Sequence, residues 1–332
     1  MVRGKSAILK LVKLAILLVN YNSSLDLLAV IKQLEKEVKY PKNCQRKIYV
    51  LENGSPKAGE REALQNLKQS FRVPRFSDRL KLAHGRELFV SEKNLGFAGG
   101  NNFLLKKAKI DEPDLYLFLN PDTVVSPDFL KNLTNLTNLS NFGLASPKIY
   151  FAPGFETHPE RYKKSEIGKV IWYEGGIIDW GNVAGHHKNV DEVDSSHQSL
   201  VTSHSPTDFC TGCCLLATKK VMEKLGGFDE TYFLNWEDVD LSVRAQRAGF
   251  KTVYVPSSVI WHKNAVSKGG TGSKIEDFWQ TRNRLIFAFK YAPLKTKLLL
   301  LWRLARTRDL NRWRAIGSAF FAILSRRGKG VE

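Results

Sequence analysis

The chain has 332 residues, 43% hydrophobic and 25% charged, enough apolar material for a sizeable core in one large domain or a domain with an appendage. No run reaches the ~18 apolar residues of a spanning helix, which excludes an integral protein by that route. The formal net charge of +18 favours an anionic partner: nucleic acid, an acidic membrane face or a phosphorylated substrate.

In chain order, residues 1–22 begin like a signal peptide but are broken by Lys10 and Lys13, with no small-residue cleavage site after them. The apolar run 14–19 has a strand's length, and 25–38 follows with helical periodicity at Leu27, Leu28, Ile31, Leu34 and Val38. Strands are expected at 47–51, 88–91 and 115–119, and helices over 58–69 and 98–108. Such alternation argues an α/β fold with a mainly parallel sheet covered on both faces. Turn-forming clusters close the strands: Asn20-Tyr21-Asn22, Glu52-Asn53-Gly54-Ser55, Asn94-Leu95-Gly96 and Asn120-Pro121-Asp122. Each is ordinary turn chemistry alone. Four at one sheet edge, where ligands of such folds bind, mark the expected site.

From 150 to 206 the pattern degrades into loops rich in Gly, His, Trp and Tyr. Strand character resumes over 208–217, and 221–225 reads as a short helix closed by Gly226 as a C-cap. A helix over 236–248, strands at 251–255 and 259–261, and a basic helical stretch from 275 complete the chain. Cys210, Cys213 and Cys214 crowd into CTGCC; with Cys44 they read as reduced thiols filling apolar space rather than a zinc site.

Asp122 ends a strand in a tight turn. It reads equally as a turn former or as a carboxylate holding a divalent cation against a diphosphate. Glu237-Asp238-Val239-Asp240 suits a helix start by dipole complementarity, or supplies a general base. Tyr232, Phe233 and Trp236 stack on a sugar or sit in the core. His262 is a satisfied polar group, or a metal ligand if Asp122 is one. The glycine-rich 267–273 segment is a lid or a linker. NLGFAGGNN lacks the G-x-G-x-x-G spacing and follows the third strand, so a Rossmann dehydrogenase is disfavoured.

Taken in order, VNYNS (19–23), ENGS (52–55), NLGFAGGNN (94–102), LNPDT (119–123), the block 210–249 with GGFDE and WEDVDL, VIWHK (259–263) and FWQTRNRL (278–285) resemble the family 2 inverting glycosyltransferases, and within them the rhamnosyltransferase-like branch. The resemblance implies a GT-A fold, a Rossmann-like nucleotide-binding sheet with a mixed acceptor-side region. It implies that Val19, Tyr21, Asn22, Glu52, Asn53 and Ser55 wall the nucleoside pocket, the family usually carrying Asp where this chain has Glu52. Asn94, Gly96 and Asn101 follow the diphosphate, Asn120 opens the variant acidic motif and contacts the nucleotide sugar, and Asp122 and His262 hold Mg²⁺ or Mn²⁺. Asp238 is implied as catalytic base, Trp236 and Glu237 as acceptor-side residues, and Arg282 as an aid to the leaving group. The implied reaction moves a sugar from a nucleotide donor, dTDP-rhamnose or a UDP-hexose, to a glycan or lipid-linked saccharide in cell-surface polysaccharide synthesis. The alternatives are a catalytically silent sugar-nucleotide- or glycan-binding relative, and a sugar nucleotidyltransferase. Two segments depart from the pattern: an insertion over 71–86, and the acceptor region 150–206.

Residues 1–285 are thus expected as the catalytic domain and 286–332 as a basic helical region. From Arg282 onward there are thirteen Lys/Arg and two acidic residues. Trp313, Ile316, Phe320, Ile323 and Leu324 fall near one helical face, flanked by Arg312, Arg314, Arg326 and Arg327. That composition reads as an interfacial helix on anionic lipid, or as a helix docked on the catalytic domain. No nucleic-acid recognition motif accompanies the charge. The expected location is cytoplasmic, peripheral on the cytoplasmic face of the membrane.

Overall fold

The computed structural model describes residues 11–56, 59–60, 63, 80–82, 85–136, 139–194, 204–264 and 273–327. Most of the helix expected over 58–69, most of the 71–86 insertion and all but the last residue of the 267–273 segment lie outside these residues.

β1 (Val12–Asn20) pairs in parallel with β2 (Cys44–Asn53) on one side and β5 (Leu115–Leu119) on the other. Its alternating side chains explain why it reads as one apolar run. Leu14, Ile16 and Leu18 pack with Leu27, Val30, Ile31 and Leu34 of α1 (Ser24–Lys36). Ala15 and Leu17 face the other way, onto Tyr49, Leu51 and the Ala98, Leu104 and Leu105 side chains of α2 (Gly96–Ala108). A strand covered on both faces has no solvent side to be polar.

β2 continues in parallel to β4 (Arg86–Ser91), and β3 (Leu80–Leu82), within the 71–86 insertion, closes that edge antiparallel. On the other flank the sheet is mixed. β12 (Cys214–Thr218) runs antiparallel between β5 and β7 (Phe142–Phe151), and β13 (Lys251–His262) is parallel to β7. β6 (Thr123–Val125) pairs with β13, above the short helix α3 (Phe129–Leu133). The chain proceeds outward from β1 to β2 and β4, then returns to the opposite side as β5. The crevice at that reversal lies beyond the carboxyl ends of β1 and β5, where Asn20–Asn22 and Asn120–Asp122 sit.

Three expectations need correction. The 150–206 segment is not mere loop: β8 (Ile171–Tyr173) pairs with β7, β9 (Gly176–Asp179) and β10 (Ala184–His187) form a hairpin, and β11 (Ser205–Pro206) edges β13. Strands of two to four residues are too short to show an alternation period. The two strands expected at 251–255 and 259–261 are one, carrying a register shift between Val255 and Val259 where Pro256 offers no N–H to a ladder. The third concerns the tail.

α4 (Lys219–Leu225) ends as expected on Gly226, which adopts φ 77° and donates to the Met222 carbonyl. α5 (Glu237–Arg247) follows, then α6 (Lys274–Tyr291), α7 (Leu294–Ala305) and α8 (Leu310–Arg327). The expected 285/286 division falls inside α6. Leu300 of α7 and Ile316 and Ala319 of α8 share the buried cluster of Leu285, Ile286 and Phe287. The apolar face expected on α8 is therefore split. Ile316 is buried and Phe320 packs edge-on against Phe289, whereas Trp313 and Leu324 are exposed together with Leu310 and Phe321. Among the described residues no helix is long and apolar enough to cross a membrane.

Candidate active site

A cleft of about 790 Å³ opens at the reversal point. Twelve of the sixteen anticipated residues line it: Val19, Tyr21, Asn22, Asn53, Asn94, Gly96, Asn120, Asp122, Trp236, Glu237, Asp238 and His262.

Main-chain pairing sets the two acidic positions. β5 ends at Leu119, opposite Cys214 of β12, and the Asn120 amide donates to the Cys213 carbonyl at 2.9 Å. This locks the Asn120-Pro121-Asp122 turn. On the same segment the Gly212 amide donates to Oδ2 of Asp238 at 2.8 Å, and the Val239 amide donates to Oδ1 at 2.8 Å. Residue 212 has little room for a side chain, since a Cβ there would lie 2.9 Å from the Phe97 ring.

The antiparallel register sets His262 opposite Thr123, which brings its ring to the side chain of Asp122. His262 Nε2 and Asp122 Oδ1 are 3.3 Å apart, both residues buried. Neither imidazole nitrogen makes a hydrogen bond, and the Trp172 ring packs edge-on at 4.6 Å. A buried imidazole without hydrogen bonds is costly, and an imidazole beside a carboxylate suits a divalent cation. Among the described residues no group of three His, Cys, Asp or Glu could hold a metal. The donor set therefore fits an ion that takes two protein ligands and completes its shell with phosphate and water oxygens, as Mg²⁺ commonly does.

Four anticipated residues are used elsewhere. Glu52 accepts from Asn20 Nδ2 at 2.5 Å and from the Ser55 amide at 2.7 Å. Ser55 Oγ accepts the Asn22 amide at 2.9 Å, so both tie the ends of β1 and β2 together behind the cleft. Asn101 donates to the Phe97 carbonyl one turn back. Arg282 does not line the cleft: its guanidinium donates to the Thr231 carbonyl at 2.7 Å and to Ser318 of α8 at 3.0 Å.

Residues beyond those sixteen also wall the cleft, among them Phe233, one of the aromatics expected on sugar or in core. Trp172 and His187 line the side facing β8 and β10, with His187 Nδ1 2.8 Å from the Trp172 carbonyl. Phe233 and Trp279 stack at 4.7 Å with 21° between their planes, and both face the cleft. Of the aromatics expected to stack on sugar or fill core, Tyr232 and Trp236 are buried, and Trp236 donates to Gln280 at 2.8 Å. Behind the wall, Asp240 is fully buried and accepts from Tyr291 at 2.7 Å, Tyr232 at 3.2 Å and Arg244 at 2.6 Å, with Lys290 also paired to it. Burial and this carboxylate push both phenols up, so they stay protonated donors. All four cysteines are free thiols, three of them buried. Burial pushes Cys210 up to about 12 and raises Cys214 as well, consistent with inert filling rather than reactivity.

The family model for glycosyl transferase family 2 matches residues 15–226, more than half of the chain, and one for glycosyltransferase-like family 2 matches 183–286. Over 72 residues the chain is 43% identical to the N-acetylglucosaminyl-diphospho-decaprenol L-rhamnosyltransferase of Mycobacterium tuberculosis, covering 22% of this chain and 24% of that one. Rhamnosyltransferase WbbL of Escherichia coli is 22% identical over 51% of this chain and 61% of its own length. The match thus spans less than two thirds of either relative. Among solved structures, GalNAc-T7 with UDP, GalNAc and Mn²⁺ superposes with a TM-score of 0.56 at 14% identity, over 83% of this chain and 51% of that one. That likeness identifies the fold as GT-A, with the parallel half and the mixed half of the sheet described above. By the extent of the family match, this chain is a member of glycosyl transferase family 2.

Proposed function

We propose that the protein is an inverting glycosyltransferase that moves a sugar from a nucleotide-diphosphate donor to a hydroxyl of a glycan or lipid-linked saccharide. One observation carries this reading: a single cleft at the sheet's reversal point presents the Asp122–His262 pair and, held through the 212–213 main chain, the Asp238 carboxylate. Asp238 takes the proton from the acceptor hydroxyl, whose oxygen forms a bond to the anomeric carbon. The bond from that carbon to the diphosphate oxygen breaks, and its electron pair leaves with the nucleotide. One displacement inverts the anomeric configuration. Asp122 and His262 are the residues that would hold Mg²⁺ or Mn²⁺, which when bound neutralises charge on the departing diphosphate. Val19, Tyr21, Asn22, Asn53, Asn94, Gly96 and Asn120 wall the donor side. Phe233, Trp236, Glu237 and Trp279 wall the acceptor side, where aromatic faces suit the apolar face of a sugar.

dTDP-rhamnose is the favoured donor, supported by the rhamnosyltransferases among the relatives, with a UDP-hexose as the second candidate. A decaprenol-linked substrate in one relative's name supports a lipid-linked acceptor in polysaccharide synthesis. It also supports work at the cytoplasmic face of a membrane. The surface offered to anionic lipid is the exposed row Leu294, Leu298 and Trp302 on α7, with Arg306 stacked 3.6 Å over the Trp302 ring. Residues four apart share one helical face.

A panel of nucleotide sugars with Mg²⁺ or Mn²⁺ tests the reading. The true donor raises the melting temperature by mass action, and its transfer product carries the opposite anomeric configuration. Retained configuration, or stabilisation by no nucleotide sugar, overturns the proposal.

A further inference from the structure

Three consecutive residues of α6 reach three separate parts of the acceptor wall. Arg282 holds the Thr231 carbonyl and Ser318, as above. Arg284 donates to the carbonyls of Val183 and Asn182, at 2.9 and 2.5 Å, in the turn of the β9–β10 hairpin that carries His186 and His187 into the cleft. Between them Asn283, fully buried, directs one amide nitrogen at three carbonyls: Tyr232 at 2.6 Å, Leu234 at 2.7 Å and Asn235 at 2.9 Å.

Those carbonyls belong to an unusual stretch of backbone. Phe233, Asn235 and Trp236 have φ of 52°, 66° and 74°, the left-handed region that L side chains adopt rarely and bulky ones least. The same stretch is pressed against the donor side. The Phe97 amide of α2 donates to the Phe233 carbonyl at 2.7 Å, and a Cβ on Gly96 would lie 2.4 Å from that oxygen. Backbone of this kind persists only where its surroundings over-determine it. Asn283 supplies that constraint from behind, and it leads directly into Trp236, Glu237 and Asp238.

We propose that Asn283 is a positioning residue: it holds segment 232–236 in its left-handed course and thereby sets the acceptor wall against Asp238. It touches no substrate. A carboxamide suits the position because it donates two hydrogens at short reach without charge. An aspartate there would set oxygens against three carbonyls. The inference rests on the glycosyl-transfer reading. α5 is also held through Asp240 by Lys290 and Tyr291 of α6, so removing Asn283 loosens the wall and leaves the base-bearing helix in place.

The test compares transfer to acceptor with hydrolysis of donor by water in Asn283→Ala, alongside nucleotide-diphosphate affinity and circular dichroism. The transfer-to-hydrolysis ratio should fall at least about tenfold and the acceptor KM should rise, since ~1 Å of misplacement costs up to ~100-fold. Nucleotide affinity should stay within about twofold, because Asn283 bonds to no donor-wall residue and the Phe233 carbonyl keeps the Phe97 amide. A folded variant that melts earlier but keeps the wild-type ratio and KM would overturn the proposal and make Asn283 merely structural. If Asn283→Ala does not fold, Asn283→Ser, which keeps one donor, should show the same change to a smaller degree; an unchanged ratio there overturns it equally. Failure of the underlying reading looks different, because wild-type protein would then show neither transfer nor donor hydrolysis.

Discussion

The Gly212 amide holds Asp238 at 2.8 Å through one carboxylate oxygen, and the carbonyl of the next residue, Cys213, holds the turn that carries Asp122. Asp238 and the turn of Asp122 are therefore tied to adjacent residues of one segment.

Replacing Asp238, the proposed base, should separate binding from chemistry. Asp238→Asn keeps the shape and one acceptor oxygen for the Gly212 amide, so nucleotide affinity should persist. Transfer should fall by about 10²–10⁴-fold, the usual contribution of a general base. Steady-state rates beside calorimetric nucleotide titration decide it; residual turnover with lost affinity would contradict the assignment. Gly212→Ala should give a smaller loss, since the Phe97 ring must shift before the amide and carboxylate can meet.

Asp122 and His262 should act as a unit toward the ion. In Asp122→Ala and His262→Ala, Mn²⁺ should no longer strengthen nucleotide-diphosphate binding, and the melting temperature should stop responding to metal. A buried polar group without a partner costs about 1–3 kcal/mol. His262→Leu should therefore melt no lower than metal-free wild type. A metal response surviving in the Asp122 variant would remove it from the ligand set.

The thiols should be silent in the folded protein. With Cys210 pushed up to about 12, its thiolate fraction at pH 8 is about one in ten thousand. Cys44 is half-buried and raised as well. Ellman's reagent at pH 8 should find at most the Cys44 thiol before denaturation and all four afterwards. Fast native reaction at the 210–214 cluster would contradict its burial.

Vesicle binding should depend on the α7 row rather than on the face of α8 that packs inward. Leu298→Glu with Trp302→Glu should reduce pelleting with anionic vesicles, and binding of the wild type should weaken as salt screens the basic residues. Pelleting unchanged in the double variant would exclude this surface.

The strand–helix alternation and the turn clusters at the strand ends were legible because period and punctuation are local properties of the chain. Side-chain direction is not local. Glu52 stands where a nucleoside contact is expected, yet it is spent on Asn20 and Ser55. Arg282 sits in the expected RNR context, while the neighbouring Asn283 grips the cleft wall. The split of the α8 face had no signal either, since Ile316 and Phe320 go inward only because α6 offers Phe289 and its neighbours. Trp279 and Trp172 enter the cleft from elements whose approach depends on tertiary packing. Motif order along the chain brought Asp122, Asp238 and His262 together where local reading left each open.

The pairing of β5 with β12 has a practical corollary for redesign. Because the Asp122 turn is bonded to the Cys213 carbonyl and the Asp238 carboxylate to the neighbouring Gly212 amide, exchanging wall side chains such as Phe233, Trp279 or His187 removes neither bond. Libraries at those positions should yield enzymes that differ in the sugar or acceptor they accept and agree in the handedness of the bond they make.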